Sequence, residues 1–356
     1  MNVLTAYIVK EVLKGSFIAA LILVTLFNLF TFTDELKHLN HGHYGIKQIF
    51  GFLSLTTPTL FYEVIPSAAL LGSLAVIGSM ANNREIVAMR ASGLSTAWII
   101  RSIMLAGLII VIAAIGVGEF IAPNCERAAQ LLKSTALNDN VALRTRYGMW
   151  LREGDNFVNV RRIQDDGSLS DVRIYEVNDQ HRVVKFNHAD HASFAGNQHW
   201  RLENLRSSTF TENRVTADTE VEKIWKSAIE SDLLKVVVVS ADNQSLYDLY
   251  TYIDFLKQNN QKSQRYEVAF WSRLINPLVT FVMLMVSAPL VIGIGRGTST
   301  GARILVGVVI GEMFDAVDKM TGHVGLIYDL NPVLVAVLPS TFVFLAALFT
   351  LQRNRI

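Results

Sequence analysis

The chain has 356 residues, 51% of them hydrophobic and 18% charged, with a mean hydropathy of +0.32. That is too apolar for a uniformly soluble enzyme, a disordered chain or a secreted disulfide scaffold. A lone cysteine, Cys125, rules out an intrachain disulfide, and a net charge of +1 supplies no basic face for nucleic acid.

A bilayer core of about 30 Å takes roughly 20 apolar residues as helix. Residues 16–33 form the first uncharged run of that order. Asp34-Glu35-Leu36-Lys37 follows it in place of a small-residue cleavage site, so an uncleaved anchor is expected rather than a signal peptide. Residues 64–81 and 102–118 are the next two runs; 274–295 and 332–351 are two more near the other end. A run at 304–320 is interrupted by Glu312, Asp315, Asp318 and Lys319. Six transmembrane helices are therefore expected, three on each side of a polar block. Pro58, Pro66 and Pro289 lie in or beside these spans, where neighbouring helices can satisfy the freed backbone groups.

Lys/Arg placement sets the orientation. With the N-terminus inside, the inner segments carry Lys10, Lys14, Arg84, Arg90, Arg101, Arg296, Arg303, Arg353 and Arg355. The short outer loops then hold only Lys37 and Lys47. Both termini are expected in the cytoplasm and the polar block outside.

Residues 82–93 read as a short independent helix between two spans. Asn82 is placed to cap it, Glu85 follows three residues on, and Gly93 is placed to end it. Ile86 and Met89 form a small apolar ridge flanked by Arg84, Glu85 and Arg90. Such a helix lies at the membrane surface or docks in a partner's groove; a plain connector is the alternative.

Most of the charges fall in residues 122–265. Short alternating runs at 148–152, 156–163, 169–177, 183–187, 189–194, 199–205 and 220–226 predict antiparallel strands. Asp165-Asp166-Gly167, Asn178-Asp179-Gln180 and Gly196-Asn197 read as their turns. The expected domain is an all-β sandwich or jellyroll, able to hold an apolar ligand, to add a neighbour's strand, or to act as a scaffold alone. Residues 245–259 then read as a helix capped by Ser245, with Asp248 three residues on and Leu246, Leu249, Tyr250, Ile253 and Leu256 along one face.

No G-x-x-x-x-G-K-[ST] occurs, so the chain has no phosphate loop of its own. Gly297-Thr298-Ser299-Thr300-Gly301 matches G-x-S-x-G, but it joins two membrane helices and not a strand and a helix, so Ser299 is not expected to be a nucleophile. His38, His41 and His43 read as a solvated loop that becomes cationic at mild acidity. His188 and His191 would face opposite sides of a strand and make poor co-ligands, so no metal is expected. Glu312, Asp315 and Lys319 share one helix face, with Asp318 beside them. They read either as a polar lining for something that moves past or as a self-satisfied Asp315–Lys319 pair.

Several stretches carry a specific resemblance that spans essentially the whole chain. They are Asn83-Arg84-Glu85-Ile86-Val87-Ala88-Met89-Arg90-Ala91-Ser92-Gly93, Gly118-Glu119-Phe120-Ile121-Ala122-Pro123 and Asn156-Phe157-Val158. Tyr252-Ile253-Asp254-Phe255-Leu256, Ala269-Phe270-Trp271-Ser272 and Gly325-Leu326-Ile327-Tyr328 follow. The sequence resembles the LptF/LptG family of lipopolysaccharide export permeases, its LptG branch more than its LptF branch.

The resemblance implies an α-helical membrane protein with six transmembrane helices (3+3) and an inserted all-β periplasmic jellyroll domain. Its divisions would be residues 1–121 with a coupling helix at 82–93, residues 122–265 with the helix at 245–259, and residues 266–356. It implies one permease half of a Gram-negative inner-membrane ABC exporter, working beside LptF, a dimer of the LptB ATPase, and LptC, which adds a helix and another jellyroll. ATP and Mg would be used by LptB, with no cofactor on this chain and lipopolysaccharide as cargo. It implies that Glu85 communicates with the ATPase, with Arg84, Ile86, Met89 and Arg90 around it, and that Lys37, His38 and Lys133 grip lipid phosphates. Thr31 and Gln130 depart from relatives that carry basic residues there. The polar face of the fifth span, Glu312, Asp315, Asp318 and Lys319, suits a lateral gate. Other readings are a permease for another lipid or lipoprotein, a non-transporting scaffold, and a hydrolase built on Ser299 or the histidines.

Overall fold

The computed structural model describes residues 3–137, 149–164, 167–178, 180, 182–196, 198–211, 214–227, 240–293 and 300–353. Two compact units result: Met1–Asp34 with Thr56–Cys125 and Gln264–Ile356, and Glu35–Leu55 with Glu126–Ser263. The polar block therefore does not cluster alone. Glu35–Leu55 joins it, because Glu35 and Phe52 both meet Lys133 there, while Tyr44 bonds Glu35.

In chain order, α1 is Val3–Glu35, α2 Ile46–Asn82, α3 Glu85–Ala91 and α4 Thr96–Gly116. A π turn over Val117–Ile121 leads into α5, Ala122–Ala136. After the β region come α6, Leu246–Gln258, then α7, Gln264–Gly293, α8, Thr300–Ile327, and α9, Pro332–Arg353. Five of the expected spans are helices long and apolar enough to cross a bilayer: α1, α2, α4 with its continuation, α7 and α9. The remaining one, α8, is a continuous helix whose charges at Glu312, Asp315, Asp318 and Lys319 keep it below that apolar threshold. Prolines do not end α2 or α7, which run on through Pro58 and Pro66 and through Pro277 and Pro289.

Val12, Leu70, Leu74, Ile103, Ala106, Met283 and Leu284 form the buried centre of the first unit. α1 crosses α2 where two glycines meet: a Cβ on Gly72 would lie 2.2 Å from the Ser16 nitrogen, and one on Gly15 would strike the Gly72 carbonyl. Only small residues allow backbones this close. Beyond the crossing, α1 leaves Phe17, Ile18, Leu21, Ile22, Leu29 and Phe30 exposed.

The second unit holds β1 Met149–Glu153, β2 Asn156–Ile163, β3 Leu169–Val177, β4 Val183–Gly196, β5 His199–Thr211 and β6 Arg214–Lys226. The all-β insert is present, with its described strands in one antiparallel sheet in sequence order. Among the described residues the strand order is a meander, in which each strand pairs with its chain neighbours across short connections. The break expected at residue 188 is absent: 183–187 and 189–194 are one strand, β4.

The sheet has a transverse seam that the alternation alone did not reveal. Ladder pairing skips Arg161, Asp171, Asp190, Asn204 and Val221, which lie in line across β2 to β6. Asp171 and Asn204 have φ of 56° and 51°. At that level the buried face jumps from Val160 to Ile163, Leu169 to Val172, Ala189 to Ala192 and Leu202 to Leu205. The register is unchanged across the seam, and the left-handed residues Asp171 and Asn204 redirect their strands there, so the buried positions change parity on crossing it. The predicted turn segments 165–166, 179 and 197 lie outside the described residues; Gly167 and Gly196 beside them have positive φ, 82° and 87°.

Candidate functional site

α3 begins later than the sequence suggested. α2 continues through Asn82, and Arg84, in the left-handed region at φ 60°, makes the turn in place of an Asn82 cap. Gly93, at φ 91°, follows its end. Seven residues of helix are too few to be stable alone, so packing must hold it. Met89 is buried and Ile86 partly buried in one apolar cluster with Ile8, Val9, Val12, Ile99 and Ile103. The expected docking ridge of Ile86 and Met89 thus turns inward, as an anchor. Arg84, Val87, Ala88, Arg90 and Ala91 are the exposed residues. Glu85 is half-buried, and its Oε2 accepts a hydrogen bond from the Tyr7 hydroxyl of α1 at 3.0 Å.

On α8, Lys319 Nζ meets Asp315 Oδ2 at 2.7 Å, one helical turn apart. Glu312, Asp315 and Lys319 are exposed and Asp318 is half-buried. The self-paired element of this face is therefore formed, and the face still lies open in the single chain.

A buried polar cluster that sequence reasoning missed joins three helical segments of the same unit. Arg273 Nε donates to Glu119 Oε1 at 2.9 Å, and a terminal guanidinium nitrogen donates to the Gly118 carbonyl. The guanidinium lies over the Tyr62 ring, 5.2 Å from its centroid, while the Tyr62 hydroxyl donates to the Arg273 carbonyl at 3.2 Å. The signal was positional: Glu119 directly follows one apolar run and Arg273 directly precedes another. This arrangement holds the π turn in place. A crevice of about 250 Å³ in this unit is lined by α1, α2 and α4 through Leu13, Phe17, Phe61, Ile65 and Ile110.

Of the expected phosphate contacts, Lys37 and His38 lie exposed on a short 3-10 turn, Leu36–His38. Lys133 is engaged within its own unit. Its Nζ meets Glu35 Oε1 at 2.6 Å and sits over the Phe52 ring at 5.0 Å. Glu35 is buried and also accepts from the Tyr44 hydroxyl at 2.9 Å. Burial, reinforced by Glu35, raises the Tyr44 hydroxyl pKa well above that of a free tyrosine. Glu35 takes one of the three Lys133 N–H donors and offsets its charge toward a phosphate. Gln130 bonds Glu126 at 2.9 Å.

In the sheet, His188 Nε2 and Asp171 Oδ1 are 2.9 Å apart, whereas His191 Nδ1 faces Ser170 Oγ at 3.2 Å. Arg173 and Arg161 also approach Asp171, at 3.1 and 3.7 Å, and Arg206 pairs with Asp190 at 2.6 Å. These ion pairs line the seam. Burial pushes the Asp171 pKa up, but the His188 hydrogen bond and the Arg173 charge more than offset it, and the net shift is downward. No group of three or more His, Cys, Asp or Glu side chains placed to hold a metal occurs among the described residues. Ser299 lies outside them. An apolar hollow of about 450 Å³ is lined by Tyr175, Val183, Phe186 and Phe210.

Long apolar helices, a short anchored helix between two of them and an inserted β-sheet unit define a polytopic membrane permease. The family model for the lipopolysaccharide export system permease LptF/LptG matches residues 6–353, so the chain belongs to that family. It is 30% identical to the lipopolysaccharide export system permease protein LptG of Haemophilus influenzae, over all of this chain and 99% of the relative. It is 31% identical to the LptG of Escherichia coli K12, over 99% of each.

Proposed function

We propose that this chain is the LptG-type permease half of an ATP-driven exporter that moves lipopolysaccharide out of the inner membrane. The full-length match to curated LptG proteins carries the reading. The export system implies further subunits. In this reading they are LptF as the second permease, an LptB dimer that hydrolyses ATP with Mg, and LptC. Both termini are cytoplasmic and the β unit is periplasmic, in line with the Lys/Arg distribution.

The work divides among this chain's own residues. α3 presents Arg84, Val87, Ala88 and Arg90 to the ATPase, with Glu85 between that surface and α1. ATPase closure moves α3, and the membrane helices narrow around the lipid. Lys37 and His38 meet the lipid phosphates, and Lys133 joins them with its charge shared with Glu35. The open face of Glu312, Asp315, Asp318 and Lys319 lines the lateral opening toward the second permease. Neutralising one end of a charged hydrogen bond typically costs about 1.5–3 kcal/mol, so Glu85→Ala is expected to cut ATP-driven lipid release at least tenfold in the reconstituted complex. Normal release from an assembled Glu85→Ala complex would remove Glu85 from this role. Mass spectrometry of the purified complex tests the whole reading; a bound lipid other than lipopolysaccharide would redirect it to another cargo.

A further inference from the structure

Two contacts join the docking helix to α1, at different depths. Met89 and Ile86 share an apolar cluster with Ile8, Val9 and Val12 of α1. Outside that cluster, the Tyr7 hydroxyl donates to Glu85 Oε2 at 3.0 Å, across 78 positions of chain. Apolar packing holds two helices together but allows them to slide. A hydrogen bond to a carboxylate is directional and fixes one geometry. It also holds one carboxylate oxygen, which sets where the other points.

α1 is built to convert a push at this end into movement at the other. It meets α2 at the Gly15–Gly72 crossing, where the backbones touch. At 1.5 Å per residue, about 18 Å of helix lies on the Tyr7 side and about 30 Å on the far side. The far arm leaves Phe17, Ile18, Leu21 and Ile22 exposed past the crossing, and its polar ties come only further on, at Asn28 to Thr57 and at Glu35 to Lys133 and Tyr44, so the movement falls on the stretch between the crossing and Asn28.

We infer that Tyr7 is the positioning residue that ties α3 to α1, so that displacement of α3 by a docked partner rocks α1 about the Gly15–Gly72 crossing. The inference rests on the reading of α3 as the ATPase-docking helix. It assigns Tyr7 no contact with lipid or nucleotide.

The test uses the assembled exporter in lipid vesicles and reads lipid molecules released per ATP hydrolysed. This ratio does not change when a variant merely lowers the amount of folded complex. Tyr7→Phe keeps the ring and its packing and removes only the donor. The expected ratio is about tenfold lower for Tyr7→Phe, lower again for Glu85→Ala, and no lower for the double variant than for Glu85→Ala alone. A wild-type ratio in Tyr7→Phe beside a reduced one in Glu85→Ala overturns the tie and leaves the docking role standing. A wild-type ratio in Glu85→Ala removes the docking role itself. Losses that multiply in the double variant would mean that Tyr7 acts through some other contact, and the inference fails.

Discussion

Arg273 and Glu119 show how much a single pair of side chains decides in this protein. Both are largely buried, 5% and 19% exposed, and they meet at 2.9 Å. Removing one member of such a pair leaves the other charge uncompensated, at about 3–5 kcal/mol, whereas replacing both with apolar residues restores much of the loss. Glu119→Gln is therefore expected to lower the unfolding midpoint of the detergent-solubilised chain sharply, and Glu119→Leu with Arg273→Met to recover most of it; equal midpoints for both variants would contradict this. Asp171 acts in the sheet and titrates. Its pKa is depressed in the folded state, so its contribution is present above the unfolded value of 3.8 and is lost as pH falls through the lower folded value. The protection of β3 and β4 amides of the full chain, relative to their intrinsic exchange at the same pH, should fall below about pH 4, and Asp171→Asn should flatten that acid dependence. The identities of these residues were plain in the sequence, but their partners were not: Glu119 and Arg273 are 154 positions apart, and nothing local selects one for the other.

The secondary elements were legible to different degrees. Five spans stood out because a helix in hydrocarbon must be apolar on every exposed side, which produces long uncharged runs. α3 was visible as an element, yet its orientation was inverted. Ile86 and Met89 form an apolar ridge in either case, and whether a ridge faces a partner or the chain's own core depends on where α1 lies. Strand alternation located the sheet but not its seam, since a jump from Leu202 to Leu205 resembles a lapse in pattern until four strands show it at one level. The α1–α2 crossing hinges on Gly72, and Gly72→Leu should prevent the two helices from seating. Its expected signature is loss of monodisperse protein in detergent, with Gly116→Ala as the tolerated comparison, since a Cβ there meets nothing within 4 Å.

Taken together, the two compact units separate work in hydrocarbon from work in water. Exposed apolar side chains run along α1, α4, α8 and α9 of the helical unit, and α8 adds exposed Glu312, Asp315 and Lys319. Apolar faces of this kind suit helices that lie against lipid or against other helices. The β unit recruits Glu35–Leu55 through the Lys133–Glu35–Tyr44 contacts, and Lys133 over the Phe52 ring also fastens the start of α2 to α5.

Amino-acid order alone was enough to establish that this is a membrane protein with an inserted polar β region, and which apolar runs are interrupted by charge. Solvent imposes those patterns on each segment separately, so they can be read without knowing any neighbour. It did not establish that Met89 points inward, that Lys133 is already paired, that Tyr7 reaches Glu85 or that the strands bend along one seam. Each of these depends on two segments distant in the chain meeting at one distance and angle. Close packing sets that geometry, and residue type records it only weakly.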